Sequence, residues 1–267
     1  MKIGVFDSGF GGLTVLRELV SAIPQADYLY LGDTARLPYG SKSAATVTRY
    51  AVSSVEFLVD RGAEYVVIAC NTASALALDH IRSAVSCDVL GVIEPGARAA
   101  SQMTRNNNVC VIGTAATVSS HAYKRELERL GVTAFEKACP LLVPLVEEGW
   151  TNHPVTEQVA QIYLRELISE QRINGNNAAD VLVLGCTHYP LLKPLLQRVL
   201  PEAMHVVDSA EATAQDAAQR LGLRTKRARS KPKVHFFATD WVEKFQSLGT
   251  RFFGCPIERV DLIALPE

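Results

Sequence analysis

Residues 66–77 read VVIACNTASALA, and residues 181–192 read VLVLGCTHYPLL. Each segment is an apolar run rich in valine that ends in a cysteine, Cys70 or Cys186, and a polar residue follows at once. A short apolar run bounded in this way is typical of a buried strand. The two segments therefore predict two buried strands that each present a thiol at the carboxyl end.

Strand-like and helix-like segments alternate along the whole chain, which is typical of parallel sheets built from β-α-β units. The predicted strands are Lys2–Asp7, Tyr28–Gly32, Tyr65–Cys70, Val89–Ile93, Asn108–Gly113, Val132–Ala138, Val181–Gly185, His205–Val207 and Val234–Phe237. The predicted helices are Gly11–Ile23, Ser43–Arg61, Thr72–Val85, Val118–Leu130, Val155–Ser169, Leu191–Leu200, one after residue 211, and Trp241–Phe252.

The order of these elements in residues 1–93 recurs in residues 108–208. We therefore expect an α/β fold of two similar, pseudo-twofold related lobes, each a parallel sheet flanked by helices, with the active site in the cleft between them. The first lobe comprises residues 1–95 plus 211–267, and the second comprises residues 96–210. Ligands of open parallel sheets bind at the carboxyl ends of strands. The polar or thiol side chains predicted at such ends are Asp7, Asp33, Cys70, Thr114 and Cys186.

The bulk composition is that of an ordinary globular protein, with 267 residues, 48% hydrophobic and 21% charged, and a net charge of -1. The chain enters a strand pattern without a leader sequence, and no apolar run approaches the roughly 18 residues of a membrane helix. We therefore expect a cytoplasmic protein with no membrane partner. The basic run Arg224–Lys233 contains no aromatic residue, so we expect no nucleic-acid partner. No cysteine pair is spaced C-x-x-C, and we expect free thiols and no metal site.

Residues 7–12, DSGFGG, predict a glycine-rich turn between a strand and a helix. The turn could bind an anion with its backbone N–H groups. It is not a P-loop, because no Gly-Lys-Ser/Thr follows, and it is not a dinucleotide fingerprint, because Thr14 occupies the third glycine position. A plain tight turn is the alternative, and the adjacent Asp7 and Ser8 at a strand end favour a binding site.

A single buried cysteine is more often a core residue than a catalytic one. We interpret four cysteines in this way: Cys87, Cys110, Cys139 and Cys255. Cys70 and Cys186 differ, because they occupy equivalent strand ends and each precedes a predicted helix. A helix N-terminus favours the thiolate, which predicts a lowered thiol pKa at both positions. His188 either orients or deprotonates Cys186 or, alternatively, only caps the helix start.

Two thiols on opposite walls of a cleft suit a two-base proton exchange, in which one removes a proton from Cα and the other delivers a proton to the opposite face. A nucleophilic hydrolase needs one thiol, a disulfide oxidoreductase needs both on one turn, and a binding protein needs neither. No lysine sits at a strand end to anchor pyridoxal phosphate. The predicted chemistry therefore uses no cofactor.

Five segments resemble those of bacterial glutamate racemases, and the resemblance covers essentially the whole chain. The segments are FDSGFGG (6–12), GDTARLPYG (32–40), ACNTASA (69–75), VPLVEEG (143–149) and GCTHYPLL (185–192). The resemblance implies two α/β lobes with the active site between them and cofactor-independent interconversion of L- and D-glutamate. It also implies a supply of D-glutamate for peptidoglycan and a homodimer.

The resemblance further implies that Cys70 takes the proton from D-glutamate and Cys186 from L-glutamate, with Asp7 and His188 as their polar catalytic partners. The substrate-binding residues that it implies are Asp7, Ser8, Tyr39, Gly40, Asn71, Thr72, Thr114, Thr117, Glu147, Thr187 and His188. Asp33 matches an acidic residue whose role stays open.

Two alternatives stay open within the resemblance. Either Glu147 or Glu148 corresponds to an acidic residue of the family, and we prefer Glu147. Related aspartate racemases typically carry a Thr-Glu pair where this chain has Thr187 and His188, which favours glutamate. An aspartate or other amino-acid racemase of the same superfamily is the alternative function.

Overall fold

The computed structural model describes residues 1–173, 178–223 and 232–266. The basic run noted above lies outside the described residues except for its last two positions, Pro232 and Lys233. Across the described ranges, no helix combines the length and the apolarity needed to span a membrane.

The strands form two parallel sheets. They are β1 (Lys2–Asp7), β2 (Asp27–Gly32), β3 (Tyr65–Ile68), β4 (Asp88–Gly91), β5 (Asn108–Gly113), β6 (Thr133–Ala138), β7 (Val181–Gly185), β8 (His205–Asp208), β9 (Val234–Ala238) and β10 (Asp261–Leu262). Within the described residues, the first sheet has the order β10-β9-β2-β1-β3-β4 and the second has the order β6-β5-β7-β8.

Helices connect the strands and flank both sheets. They are α1 (Leu13–Ala22), α2 (Ala44–Asp60), α3 (Asn71–Leu76), α4 (Leu78–Ala84), α5 (Ile93–Met103), α6 (Ala115–Ser119), α7 (Ala122–Arg129), α8 (Leu142–Glu147), α9 (Pro154–Ile173), α10 (Lys193–Val199), α11 (Ser209–Arg220) and α12 (Val242–Phe253). Short 3-10 turns cover Thr34–Arg36, Tyr39–Ser41 and Tyr189–Leu192.

The two sheets repeat one plan, as the sequence predicts. The order β2-β1-β3-β4 in the first sheet corresponds to β6-β5-β7-β8 in the second, so β3 and β7 hold equivalent places beside the first strand of each half. The last segment of the chain returns to the first sheet, where β9 pairs with β2. The α/β fold of two parallel sheets flanked by helices is confirmed.

The repeat forms because each β-α unit buries its apolar residues in the same way. In β1 every residue after Lys2 is buried, which is expected of a strand covered on both faces. In α1, Leu13, Leu16 and Leu19 recur at helical spacing and are buried against the core. Burial of these side chains fixes the sheet and helix in one register.

Several predicted boundaries are wrong. The strand predicted to end at Cys70 ends at Ile68, and Cys70 instead caps α3. The helix predicted for residues 72–85 is two helices that meet at Ala77, and the helix predicted for residues 118–130 is interrupted at His121. His121 adopts a left-handed conformation with φ 53°, which a continuous right-handed helix cannot contain.

The sequence reading also missed α5, α8 and β10. It took Pro95 as a break after a strand, but that strand ends at Gly91 and Pro95 lies in the first turn of α5. Proline is tolerated there because the first N–H groups of a helix have no partner within the helix. The lobe boundaries predicted at 95/96 and 210/211 lie inside α5 and α11, respectively. The division of the chain at these two positions remains a prediction.

A continuous hydrophobic cluster joins the two sheets. It contains residues of α1, α5 and α11, together with strand residues of both sheets. The connections that lead from one sheet to the other contain α5 and α11, and buried residues of both helices belong to this cluster.

A ring of four charged side chains ties α5 to α11. Asp216 binds Arg98 at 2.6 Å and Arg220 at 2.7 Å, and Glu94 contacts both arginines, at 2.5 Å and 3.0 Å. The Asp216 side chain is 8% exposed, whereas both arginines are 38% exposed. The carboxylate is therefore shielded from water and depends on the two guanidinium groups.

We predict that Asp216→Ala lowers the free energy of unfolding by about 1–3 kcal/mol, because it removes the buried carboxylate of the ring and leaves Glu94 as the only acid of the ring that contacts the two arginines. Urea unfolding followed by circular dichroism measures the change. The control is Glu128→Ala, which removes an exposed contact of 3.9 Å with Lys124 and costs less than about 0.5 kcal/mol. Equal losses in the two variants would contradict a special role for Asp216.

Candidate active site

A cavity of about 220 Å³ lies where the carboxyl ends of the two sheets meet. Cys70 follows β3 and Cys186 follows β7, and both line the cavity. The equivalent places of β3 and β7 thus put one thiol from each sheet on the same enclosed space.

Most of the residues predicted to bind substrate lie on the cavity wall: Ser8, Tyr39, Gly40, Asn71, Thr72, Thr114, Thr187 and His188. Asp7, Thr117 and Glu147 lie behind the wall and touch wall residues. The lining also includes residues that the sequence reading did not select: Pro38, Ser41, Ala115, Pro140, Val143 and Pro144. These are mostly apolar and carry no chemical signal in the sequence.

Cys70 occupies the N-cap position of α3 and is 5% exposed. Its Sγ accepts a hydrogen bond from the backbone N–H of Ala73 at 3.4 Å and lies 3.6 Å from Ser8 Oγ. Burial, with the nearby Asp7 carboxyl as a second cause, raises the pKa of the Cys70 thiol to about 12. The expectation of a lowered pKa is therefore wrong for Cys70, because desolvation outweighs the helix N-terminus.

The Cys186 side of the cavity carries charged partners. His188 Nε2 lies 3.2 Å from Glu147 Oε1, and Lys244 Nζ lies 3.7 Å from Glu147 Oε2. Burial opposes a charge on His188, but its contacts with Cys186 and Glu147 outweigh burial and raise the pKa of the imidazole to about 10. His188 is therefore an imidazolium at neutral pH.

Glu147 is the anion that holds this charge. Burial alone would raise its pKa, but His188 and Lys244 lower it below its ordinary value. The neighbouring Glu148 is exposed. Of the two glutamates that the sequence leaves open, Glu147 is the one that contacts the site.

Two supports of His188 come from α12, in the part of the chain that returns to the first lobe. Lys244 reaches Glu147, and the Phe252 ring packs edge-on against the imidazole with the ring centroids 5.1 Å apart. Sequence reasoning missed both residues, because nothing near them in the chain indicates chemistry. Their proximity to His188 follows only from the pairing of β9 with β2.

Asp7 lies at the end of β1 and is 1% exposed. Its Oδ2 accepts a hydrogen bond from the Gly9 N–H at 2.9 Å, and burial raises its pKa. A Cβ at Gly12 would come within 2.4 Å of the Asp7 Cβ, so glycine is required where the turn folds over this side chain. The glycine-rich turn thus encloses a carboxyl group beside Cys70.

Three threonine hydroxyls join the lobes at the cavity. Thr72 Oγ1 lies 2.9 Å from Thr114 Oγ1 and 3.3 Å from Thr117 Oγ1, and the latter two are 2.9 Å apart. Thr114 also caps α6 by accepting from the Thr117 N–H. The cluster places three adjacent hydroxyl groups on or just behind one wall.

Tyr39 is held in place by a buried acid. Its hydroxyl donates to Asp33 Oδ2 at 2.6 Å, and Thr239 donates to Asp33 Oδ1 at 2.9 Å. Burial raises the pKa of Asp33 despite these bonds. Asp33 itself does not line the cavity, and it contacts the cavity wall through Tyr39.

Thr187 and Gly11 make a close contact between the lobes. The Thr14 hydroxyl donates to the Thr187 carbonyl at 3.1 Å, and a Cβ at Gly11 would fall 2.2 Å from Thr187 Oγ1. Asn71 makes another such contact, since its Oδ1 accepts from the hydroxyl of Tyr123.

In the part of the chain that the structure describes, no group of three or more His, Cys, Asp or Glu side chains could hold a metal ion.

Comparisons with known proteins agree with this geometry. The Asp/Glu/Hydantoin racemase family model matches residues 3–217. The glutamate racemase of Koribacter versatilis is 53% identical, with 98% of this chain and 97% of that protein covered. The chain belongs to the glutamate racemase family. It is therefore an amino-acid racemase, an isomerase.

Solved structures of glutamate racemases share the fold. RacE1 from Bacillus anthracis has a TM-score of 0.89 and 37% identity, covering 99% of this chain and 97% of that one. The Francisella tularensis enzyme, solved in complex with D-glutamate, has a TM-score of 0.86 and 33% identity, with 98% and 97% covered. The resemblance seen in the sequence motifs is confirmed at the level of family and fold.

We predict that iodoacetamide labels Cys70 slowly at neutral pH, at a rate that rises about tenfold per pH unit and does not level off between about pH 7 and about pH 10, because only the thiolate reacts. Peptide mass spectrometry measures the rate, with the exposed Cys255 as the control for reagent quality. A plateau near about pH 9, as for an ordinary thiol, would contradict the raised pKa of Cys70.

Proposed function

We propose that the chain interconverts L- and D-glutamate by two-base proton transfer at Cα, without a cofactor, with Cys186 acting on L-glutamate and Cys70 on D-glutamate. The observation that supports this most is that Cys70 and Cys186, from equivalent strand ends of two sheets, line one cavity. Opposed groups are what an inversion at one carbon needs, since the proton leaves one face and arrives at the other.

For L-glutamate, the thiolate of Cys186 takes the Cα proton and the thiol of Cys70 gives its proton to the opposite face. Cys186 ends as a thiol and Cys70 as a thiolate, so charge and protons balance. The imidazolium of His188 stabilises negative charge on Cys186 before the transfer. The raised pKa of Cys70 keeps that sulfur protonated and ready to donate. D-glutamate reverses every step.

The difficult step is the loss of a weakly acidic Cα proton, and each 1.36 kcal/mol removed from its barrier gives about a tenfold rate increase. A positioned acid or base contributes typically about 10² to 10⁴. The remainder comes from fixed hydrogen-bond donors near the substrate carboxylate in an enclosed cavity. We assign the binding of the substrate to Ser8, Asn71, Thr72, Thr114 and Thr187, which line it.

The proposal includes the wider setting of the reaction. We propose that the product D-glutamate supplies peptidoglycan synthesis, that the protein acts in the cytoplasm, and that it is a homodimer. Analytical ultracentrifugation tests the last of these, and a monomer at micromolar concentration would contradict it.

We predict that the protein incubated with L-glutamate in D2O exchanges the Cα hydrogen for deuterium while the circular dichroism of the solution decays to zero. NMR and circular dichroism follow the two changes. L-aspartate tested in parallel separates the alternative substrate. The absence of both changes with glutamate would overturn the proposed function.

We predict that Cys70→Ala and Cys186→Ala each lower kcat by at least about 10², because each removes one of the two proton-transfer groups. Cys110→Ala is the matched control, since Cys110 is also buried but does not line the cavity. Full racemisation by either cavity variant would remove that cysteine from the mechanism.

We predict that Glu147→Gln lowers the pKa of His188 by about 1–3 units, because the imidazolium loses its anionic partner. The alkaline limb of the pH profile of kcat/KM then moves to lower pH, and an NMR titration of the imidazole shows the same shift. Glu148→Gln is the control, because Glu148 is exposed. A shift in the control as large as in Glu147→Gln would contradict the assignment.

A further inference from the structure

Tyr123 lies outside every motif that resembles the family, yet it touches the site. Its side chain is fully buried, and its hydroxyl donates a hydrogen bond of 2.8 Å to Asn71 Oδ1. Tyr123 belongs to α7, between strands of the second sheet, whereas Asn71 begins α3, after β3 of the first sheet. The bond therefore crosses between the lobes next to the cavity that Asn71 lines.

The bond determines which way the Asn71 amide faces. Because Oδ1 is engaged by Tyr123, the Nδ2 group is left over, and it is buried without a hydrogen-bond partner among the described residues. A buried donor without a partner costs free energy, so native proteins leave few of them. An unpartnered amide donor in a residue that lines a cavity is suited to a ligand that accepts hydrogen bonds.

We propose that Tyr123 is a positioning residue for substrate binding: it holds the Asn71 amide so that Nδ2 donates to a carboxylate of the bound amino acid. This inference rests on the proposed function. A carboxylate only accepts hydrogen bonds. An amide turned the other way would present its oxygen to the anion and repel it. Burial raises the pKa of Tyr123, so its hydroxyl keeps the proton that it donates.

Two glycines confine the Tyr123 ring. A Cβ at Gly96 would lie 3.2 Å from the Tyr123 hydroxyl oxygen, and a Cβ at Gly185 would lie 3.0 Å from Cε2 of the ring. Gly96 is in α5 and Gly185 ends β7, so the ring is enclosed by two elements that are themselves in the core. The hydroxyl has little room to move, as a positioning role requires.

The first test is Tyr123→Phe, which removes the hydroxyl and keeps the ring. We expect KM to rise by roughly three- to tenfold for both L- and D-glutamate, which corresponds to the net free energy of one hydrogen bond. We expect kcat to fall by no more than the same factor, because the Asn71 donor also faces the carboxylate as negative charge develops in the transition state.

The matched control is Tyr28→Phe. Tyr28 is also fully buried, and its hydroxyl donates to the Leu19 and Ile23 carbonyls, away from the cavity. Like Tyr123→Phe, this variant removes a buried, hydrogen-bonded hydroxyl and therefore loses stability. We expect its KM for glutamate to be unchanged. An equal rise of KM in Tyr28→Phe would show a general effect of hydroxyl removal and overturn the positioning role, as would an unchanged KM in Tyr123→Phe.

A double-mutant cycle tests whether Tyr123 acts through Asn71. The four proteins, with and without Tyr123→Phe and Asn71→Ala, all carry Cys186→Ala to prevent turnover, and calorimetry measures the Kd of D-glutamate. We expect Tyr123→Phe to weaken binding when Asn71 is present and to have no effect beyond about twofold in Asn71→Ala. Additive effects would overturn this inference alone. A wild-type protein that does not racemise glutamate would instead overturn the proposed function.

Discussion

The convergence of the carboxyl ends of two parallel sheets on one cavity is the constraint on which the site depends. The four strands β2-β1-β3-β4 have the same order as β6-β5-β7-β8, so Cys70, shortly after β3, and Cys186, directly after β7, line the same cavity. Neither cysteine alone differs from an ordinary core thiol, because both are almost fully buried. The chemistry that we propose for them depends on the pairing of the lobes, not on either strand.

The repeated fold carries two unlike electrostatic environments. Cys70 is surrounded by Asp7 and Ser8, and burial with a nearby carboxyl keeps its sulfur protonated. Cys186 is beside an imidazolium that Glu147 and Lys244 hold in place. One half therefore places a carboxyl group beside its cysteine, and the other half places an imidazole. The two-base exchange that we propose uses such a difference, since one sulfur accepts a proton while the other donates one.

The sequence predicts well what depends on local pattern. The alternation of elements and the repeat follow from apolar runs and their spacing, and the fold agrees with them, although β3 ends at Ile68 and not at Cys70. The pKa of Cys70 could not be predicted in this way. Its sign is set by the competition of burial with the N–H groups of α3, and the sequence shows the helix start but not the depth of burial.

The residues that the sequence did not reveal are those that reach the site from distant elements. Lys244 and Phe252 arrive on α12 because β9 adds to the first sheet, and Tyr123 arrives on α7 of the other lobe. None carries a local signal, since a buried tyrosine or phenylalanine at helical spacing is typical of any core. Helix α5 was not predicted for a related reason. The sequence does not distinguish a proline in the first turn of a helix from a proline that ends an element.

The contacts between the lobes are of two kinds, and the two kinds differ in the cost of separating them. The first kind is a continuous apolar cluster that contains residues of α5 and α11, two helices that the Asp216 ion pair with Arg98 also joins. The second kind is polar and consists of the contact between the Thr72 and Thr114 hydroxyls, the Thr14–Thr187 bond and the Tyr123–Asn71 bond. Each polar contact exchanges for water at a net cost of only about 0.5–1.5 kcal/mol, whereas separating the apolar cluster exposes many side chains at once. The packing of α5 and α11 in the apolar cluster is therefore the more costly contact between the lobes to separate, and the polar bonds that orient Asn71 and Thr187 contribute direction more than stability.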